Sequence, residues 1–170
     1  MLSPKIEAAI NDQINNELFS SYSYLSMAAW CQHEQLTGCA HWLRVQSEEE
    51  YGHAMKLLDF VLARNGIVKL KPIAQPETTF DAIVSVFEKS LAQEERVTAQ
   101  IDALYELAFN EKAFAALVEL EWFITEQVEE EKTAREVVHK FQLCKNDPAA
   151  TLDLDRELGA RAPEAGGGKG

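Results

Sequence analysis

The sequence predicts an all-α protein built as a four-helix bundle. Apolar residues recur with helical spacing along four long segments, and no segment shows the strict alternation that is typical of a β-strand. Each segment has about 27 to 32 residues, so at about 1.5 Å of rise per residue the helices are roughly 40 to 48 Å long. Helices of that length in one domain pack side by side as a bundle.

The first helix is predicted to begin at Ser3-Pro4, which fits an N-cap followed by a first helical residue. Helical spacing continues to about Glu34, and Thr37-Gly38 is expected to break the chain. The second helix is predicted from about Cys39 to Asn65, where Asn65-Gly66 supplies a C-terminal stop. The short turn makes the first two helices antiparallel neighbours.

Residues 67–78 contain Pro72 and Pro76 and show no helical pattern, so they are expected to form a long extended crossover. The crossover allows the chain to traverse the whole bundle, which makes the second and third helices parallel. The third helix is predicted from about Thr79 to Phe109, and the fourth from about Lys112 to Leu143.

A short fifth helix is predicted to start at Asp147-Pro148 and to end near Leu158. Residues 1–159 therefore form the bundle domain with its short C-terminal helix. Residues 160–170 form a tail that ends in Ala-Pro-Glu-Ala-Gly-Gly-Gly-Lys-Gly, a sequence of low complexity that is expected to be disordered.

The composition excludes several classes of partner. The net charge is -12, with 28 acidic against 16 basic residues, which argues against binding to nucleic acid or to anionic membranes. No run of about 18 apolar residues is present, and the N-terminus does not read as a signal peptide. Three cysteines without a Cys-x-x-Cys pair are typical of reduced thiols, so a cytoplasmic protein is expected.

The apolar stripe of each predicted helix contains polar or ionisable residues near its middle. Mid-helix positions of a bundle come level with one another, so these side chains are expected to meet in one layer of the core. The six residues of this layer are Glu17, Glu50, His53, Glu94, Gln127 and Glu130.

This layer predicts a metal centre. One buried carboxylate costs several kcal/mol, and four together repel strongly. Two divalent ions bring four positive charges, which match four carboxylates. Oxygen ligands with a single imidazole favour iron or manganese over zinc or calcium. A single glutamate such as Glu17 or Glu94 is more often a wrongly assigned helix face, so the prediction depends on the joint pattern over four helices.

Glu50-x-x-His53 places two ligands on one helix face. Di-iron carboxylate bundles carry a second Glu-x-x-His pair, whereas the fourth helix here has Gln127-x-x-Glu130. One ion therefore keeps a histidine ligand and the other does not. We expect the second ion to be held more weakly, which suits a metal that passes through the site.

The chain resembles the bacterial non-haem ferritins over residues 1 to about 158. The resemblance lies in the segments Gln13–Leu18, Glu48–His53 and Glu126–Glu131. It implies an iron-storage subunit that oxidises Fe(II) with O2 or peroxide at a di-iron ferroxidase centre. It also implies a hollow shell of 24 copies in which Fe(III) is deposited as a mineral.

The resemblance also assigns ligands to individual ions. It implies a first ion at Glu17, Glu50 and His53, and a second at Glu50, Glu94 and Glu130 with Gln127 close by. It further implies an outer third iron site, whose ligands are Glu49, Glu126 and Glu129 together with Glu130. A solvated acidic face explains these three outer residues equally well.

Two aromatic residues lie near the predicted centre. Tyr24 is two turns beyond Glu17 on the same stripe, and the resemblance favours a role as hydrogen-bond donor to a ligand or as electron donor over that of a core tyrosine. Trp122 is expected to serve packing.

Haem is not expected, because bacterioferritins need a second Glu-x-x-His and a methionine where this chain has Tyr51. Two alternatives remain open. A rubrerythrin-like oxidase or peroxidase would retain its metals, although it would need the absent second Glu-x-x-His and Cys-x-x-Cys. A helical interaction bundle without metal would show the same periodicity.

Overall fold

A computed structural model describes residues 2–144 and 147–162. The described residues form five α-helices and no strand, which confirms the predicted fold class. None of these helices is long and apolar enough to cross a bilayer. The disorder predicted for the tail falls mainly on residues 163–170, which lie outside the described part of the chain, and the domain boundary stays a prediction. The helices are α1 (Pro4–His33), α2 (Thr37–Ala63), α3 (Ile83–Asn110), α4 (Phe114–Cys144) and α5 (Pro148–Leu158).

Two apolar clusters, one at each end of the bundle, establish the helix directions. The first cluster combines the start of α2 with the start of α3, as at Trp42 and Phe87. The second combines the end of α2 with the end of α3, as at Leu57 and Ile101. The second and third helices are therefore parallel, as the length of the crossover predicted.

The turn between α1 and α2 differs from the predicted one. The chain leaves α1 at Gln35, which adopts a left-handed φ of 65°, and the Leu36 amide donates to the Cys31 carbonyl at 2.9 Å. Such a reversal ends the helix without a glycine. Thr37-Gly38 therefore does not break the chain but forms the first turn of α2.

Gly38 serves a tertiary contact instead. A Cβ atom at Gly38 would lie 1.7 Å from the backbone oxygen of Asp155 in α5. The Asp155 carboxylate in turn accepts a hydrogen bond from the Cys39 amide at 2.8 Å, so α5 caps the N-terminus of α2. The glycine lets the two helices approach closely.

The third and fourth helices start later than predicted. The third helix begins at Ile83 and not at Thr79. At this start the Ser85 hydroxyl accepts a hydrogen bond of 3.3 Å from the Ala82 amide. Lys112 has a left-handed φ of 53° and cannot be helical, so α4 begins at Phe114. The predicted caps at Ser3 and Asp147 are confirmed, since both side chains accept backbone hydrogen bonds.

Two asparagines hold the extended crossover against α1. The Asn11 side chain donates to the Ile67 carbonyl at 2.9 Å and accepts from the Lys69 amide at 2.6 Å. Asn15 repeats the pattern, donating to the Lys69 carbonyl at 3.1 Å and accepting from the Lys71 amide at 2.7 Å. Two asparagines four residues apart on one helix face thus supply hydrogen bonds to backbone groups of the extended crossover, which does not pair with a strand in the described part of the chain.

Candidate metal centre

A layer of buried polar side chains separates the two apolar clusters. All six residues predicted for this layer are buried, and Glu17, Glu50 and Glu94 are each 0% exposed. Each of the four long helices contributes at least one of them. The helical periodicity therefore assigned the correct face of each helix.

The first part of the layer is built by α1 and α2, and we call Glu17, Glu50 and His53 the histidine half. Each offers one ligand atom, and these atoms lie within 4.8 Å of one another. Among the described residues, this is the one His, Cys, Asp and Glu group of at least three that is so compact. The nearer Glu50 oxygen lies 4.0 Å from His53 Nδ1.

Three carboxylate oxygens of the histidine half accept no hydrogen bond from any described residue. They are Glu17 Oε2 and both Glu50 oxygens, whereas Glu17 Oε1 accepts from Gln13 Nε2 at 2.8 Å. A buried acceptor left without a donor costs about 1–3 kcal/mol, and more if it is charged. The fold therefore tolerates here an arrangement that protein groups alone do not satisfy.

The second part of the layer is built by α3 and α4, and we call Glu94, Gln127 and Glu130 the amide half. The Tyr24 hydroxyl donates to Glu94 Oε1 and lies 3.0 Å from Ser90 Oγ. Gln127 Nε2 lies 3.4 Å from Glu94 Oε2. Unlike the Glu50 carboxylate, that of Glu94 is thus met by protein donors on both oxygens.

Glu130 is also held by an amide. Its Oε2 atom accepts a hydrogen bond of 2.9 Å from Gln46 Nε2 of α2, whose side chain is fully buried. The two glutamates of the amide half are therefore met by three neutral donors, namely Gln127 of the same half and Tyr24 and Gln46 from outside it.

Burial sets the protonation of these groups in the ion-free protein. Desolvation raises the pKa of Glu50 well above its usual value, and the Glu94 and Glu17 carboxyls raise it further. Desolvation also raises the pKa of Glu17, and that of Glu94 to about 8. The same burial lowers the pKa of His53 to about 4, which keeps the imidazole in the neutral form that binds metal.

The donor set fits a pair of iron or manganese ions. Four carboxylates and one neutral imidazole supply mainly hard oxygen ligands, and the three oxygens without a donor lie in the histidine half. The Glu50 carboxyl belongs to the histidine half but interacts electrostatically with Glu94 and Glu130 of the amide half as well as with Glu17. That position suits a bridging carboxylate.

The residues of the outer third site are arranged differently. Glu49 forms an ion pair of 2.7 Å with Arg161, and Glu129 lies on the surface beside Lys132 at 3.5 Å. No cluster as compact as the histidine half joins them with Glu126 and Glu130 in the part of the chain that is described. The outer site stays a prediction.

The aromatic residues occupy different positions. Tyr24 is fully buried and touches the Glu94 carboxylate. Trp122 packs edge to face on the His53 ring, with 5.3 Å between the ring centroids. The Lys56 Nζ atom lies 4.9 Å from the centroid of the Trp122 ring. Trp122 thus orients the histidine by packing.

Three residues around the layer received no role from the sequence, namely Gln13 and Gln46, which contact it, and Arg161, which contacts Gln46. Gln13 and Gln46 each lie four residues before a glutamate of the layer, Glu17 and Glu50, on the same helix face. That spacing was a usable signal, although an amide on a helix seam is equally common as plain core. Arg161 was placed in the tail, and nothing in its sequence neighbourhood pointed to the bundle.

Comparison with known proteins agrees with this geometry. The family model described as a ferritin-like domain matches residues 7–144. The chain belongs to the ferritin family. The matched range covers the four long helices, apart from the first three residues of α1, and every residue of both halves of the layer.

Individual ferritins match over nearly the whole chain. A bacterial non-heme ferritin of Bacteroides fragilis is 39% identical over 161 residues, covering 95% of this chain and 100% of its own. One from Staphylococcus aureus is 34% identical, covering 95% and 97%. An open pore ferritin from the archaeon Archaeoglobus fulgidus superposes with a TM-score of 0.94 at 43% identity, covering 95% and 100%. An engineered closed form of that ferritin gives 0.94 at 44%, covering 95% and 99%.

Proposed function

We propose that this chain is an iron-storage ferritin subunit that oxidises Fe(II) at the buried layer. The observation that carries the proposal is Glu50, which is 0% exposed and whose two oxygens accept no hydrogen bond from a described residue. Such a carboxylate is costly unless a cation compensates it. Its neighbours Glu17 and His53 offer the further ligands that a cation needs.

In this proposal the two halves bind one Fe(II) each. Glu17, Glu50 and His53 hold the first, and Glu50, Glu94 and Glu130 hold the second beside Gln127. Each Fe(II) gives up one electron, so the pair supplies the two electrons that convert O2 and two protons to H2O2, or H2O2 and two protons to two water molecules. The protein assembles the ions and compensates the added positive charge with its carboxylates.

We further propose that the oxidised iron leaves the layer and is deposited as Fe(III) mineral inside a hollow shell of 24 copies. Self-association is supported by large apolar side chains on the surface of the subunit. One set lies on α1 and the crossover, and another at the turn between α3 and α4. The sets are Tyr22, Leu25 and Ile73, and Phe109, Phe114 and Val118.

The outer acids Glu49, Glu126 and Glu129 are proposed to bind a third iron only transiently, because Glu49 is already paired with Arg161. Haem has no place in the proposed function, and the named bacterial relatives are themselves called non-heme ferritins. A cytoplasmic location follows from the reduced thiols expected of the three cysteines.

Replacement of Glu50 by glutamine tests the proposal. Glu50→Gln keeps the size of the side chain but removes the shared negative charge. We expect the initial rate of Fe(II) oxidation, followed by absorbance, to fall at least about 100-fold, since outer-shell partners alone are worth about 10- to 100-fold. Glu48→Gln is the matched control, because Glu48 lies on the exposed face of the same helix and its replacement should leave the rate unchanged.

Iron loading and particle size separate the alternatives. A store takes up far more than two iron ions per chain and sediments with about 24 times the 19.1 kDa mass of one chain. A rubrerythrin-like enzyme would stop at two ions per chain. A protein that neither oxidises Fe(II) nor binds it would contradict the proposal in favour of a metal-free bundle.

A further inference from the structure

The chain beyond α5 returns to the bundle at Arg161. Its backbone oxygen lies 2.8 Å from His41 Nε2, and its guanidinium lies 4.7 Å from the Trp42 ring centroid. The side chain is only 20% exposed. Arginine is well suited to such a position, because a planar guanidinium stacks on an aromatic face while it donates hydrogen bonds.

The guanidinium donates to two residues of α2. One nitrogen, Nη1, donates to Gln46 Oε1 and the other, Nη2, donates to Glu49 Oε2 at 2.7 Å. The two acceptors lie one helical turn apart on the same face, which a rigid fork can reach together.

The Gln46 side chain connects Arg161 to Glu130 of the buried layer. Its Oε1 atom accepts from Arg161 while its Nε2 atom donates to Glu130 Oε2 at 2.9 Å. The opposite orientation of the amide would set two donors against each other at Arg161 and two acceptors at Glu130. Arg161 therefore selects the amide orientation that holds the Glu130 carboxylate.

The end of α5 is fixed so that Arg161 can reach this position. Gly38 and Gly159 lie in contact, with a Gly38 Cβ position only 3.0 Å from the Gly159 amide. Asp155 caps Cys39 as described above. Arg161 follows Gly159 by two residues, so its backbone is placed beside α2 by the docking of α5.

We propose that Arg161 is a positioning residue for the second ion, acting through Gln46 on Glu130. The inference rests on the proposed function, because Glu130 is the ligand that the ion of the amide half requires. It predicts that the C-terminal segment affects one ion of the pair and not the other, since Glu17 and His53 have no contact with the Arg161 fork.

Anaerobic calorimetric titration of the complete protein with Fe(II) tests the role of Arg161. In Arg161→Ala, we expect the affinity for the second ion to fall about 10- to 100-fold, as for the loss of other groups that orient a ligand. The first ion should bind as in the wild type. Arg156→Ala is the matched control, since Arg156 is an arginine of the neighbouring helix α5 whose ion pair with Asp153 lies on the surface.

A double-mutant cycle shows whether the effect passes through Gln46. Gln46→Met keeps the volume but cannot donate to Glu130, and it should weaken the second ion about as much as Arg161→Ala. Because both changes break one chain of contacts, adding Arg161→Ala to Gln46→Met should have no further effect on that affinity. Gln46→Met also provides the test by itself if Arg161→Ala does not fold.

The outcomes distinguish the two proposals. Unchanged second-ion affinity in Arg161→Ala, equal weakening of both ions, or additive effects in the cycle would overturn the role of Arg161 alone. A wild-type protein that binds no pair of Fe(II) ions would overturn the proposed function itself, and with it this inference.

Discussion

The two halves of the buried layer meet the cost of buried acids in different ways. In the histidine half, three carboxylate oxygens receive no hydrogen bond from the described residues. In the amide half, Tyr24 and Gln127 reach Glu94, and Gln46 donates to Glu130. In the proposed function the histidine half is therefore the part that needs a bound cation, whereas the amide half is already supported by neutral donors.

This difference gives a physical reason for unequal ions. A cation that enters the histidine half compensates carboxylates that had no donor, so its binding removes a penalty that the fold carries. A cation that enters the amide half competes with hydrogen bonds that already exist. The first should consequently bind tightly and the second loosely, as the missing second Glu-x-x-His predicted from the sequence. A weaker second site suits a protein through which iron moves.

The largest expected effect is the stabilisation of the fold by the first ion. Free ion at about 1,000 times its dissociation constant stabilises a protein by about 4 kcal/mol. Co(II) serves as a probe that O2 does not readily oxidise. In scanning calorimetry, Co(II) should increase the free energy of unfolding of the wild type by about this amount and that of Glu17→Gln by almost nothing. Gln127→Met, which changes only the amide half, should keep most of it. Equal losses in the two variants would contradict the division into halves.

The pH dependence of the ion-free protein should also be large. Burial raises the pKa of Glu94 from 4.5 to about 8, so between these values the folded chain retains a proton that the unfolded chain has released. The free energy of unfolding then decreases as the pH rises from about 5 to about 8 and levels off above that range. The total exceeds the roughly 1.4 kcal/mol that corresponds to one pKa unit.

Urea unfolding in the presence of a chelator measures this slope. Glu94→Gln removes one of the titrating groups and should reduce the slope over this range, to which Glu50 and Glu17 also contribute. Glu95→Gln, at an exposed neighbouring position, should leave the slope unchanged. Stability that rises between about pH 6.5 and pH 8 would contradict the assignment. Below that range the lowered pKa of His53 also makes stability rise with pH, so the upper part of the range gives the clean test.

Apolar replacements in the two halves should change the stability of the ion-free protein in opposite directions. Glu50→Met removes a buried acid whose ionised form no described donor meets and whose raised pKa shows that burial disfavours this form. We therefore expect stabilisation by about 1–3 kcal/mol, as for other buried ionisable groups replaced by apolar groups. Glu130→Met leaves the Gln46 amide without this acceptor and should destabilise the fold by about 1–3 kcal/mol. Chemical unfolding of the two variants and the wild type gives the sign of each change in the free energy of unfolding. Changes of the same sign would contradict the difference between the two halves.

The buried polar layer could be predicted from the sequence because its signal is periodic. A glutamate on an apolar seam stands out, and the position of Glu17 or Glu94 near the middle of its helix predicts the level at which it meets the others. The directions of the helices followed from the lengths of the turns and of the crossover. These are properties of single helices and their connections, which the chain order displays.

The helix ends and the supporting hydrogen bonds could not be predicted, because they depend on contacts between distant segments. In the sequence Gly38 is typical of a helix breaker, whereas in the structure it lies against the Asp155 backbone. Arg161 and Gln46 are 115 residues apart in the chain, and the low-complexity sequence after Arg161 favoured a free tail. A buried amide such as Gln46 can bind a metal, donate a hydrogen bond or simply occupy space in the core. Only the position of Glu130 identifies Gln46 as a hydrogen-bond donor.

The smallest expected effect concerns Tyr24, which supports the amide half with a single hydroxyl. Tyr24→Phe removes the hydrogen bond to Glu94 and should cost about 1 kcal/mol of stability. It should also weaken the second ion and leave the first unchanged. Tyr22→Phe is the matched control, because that tyrosine of the same helix is 48% exposed and its hydroxyl should contribute little. If Tyr24 acted only as an electron donor, both ions would bind normally in the variant and only the oxidation would slow.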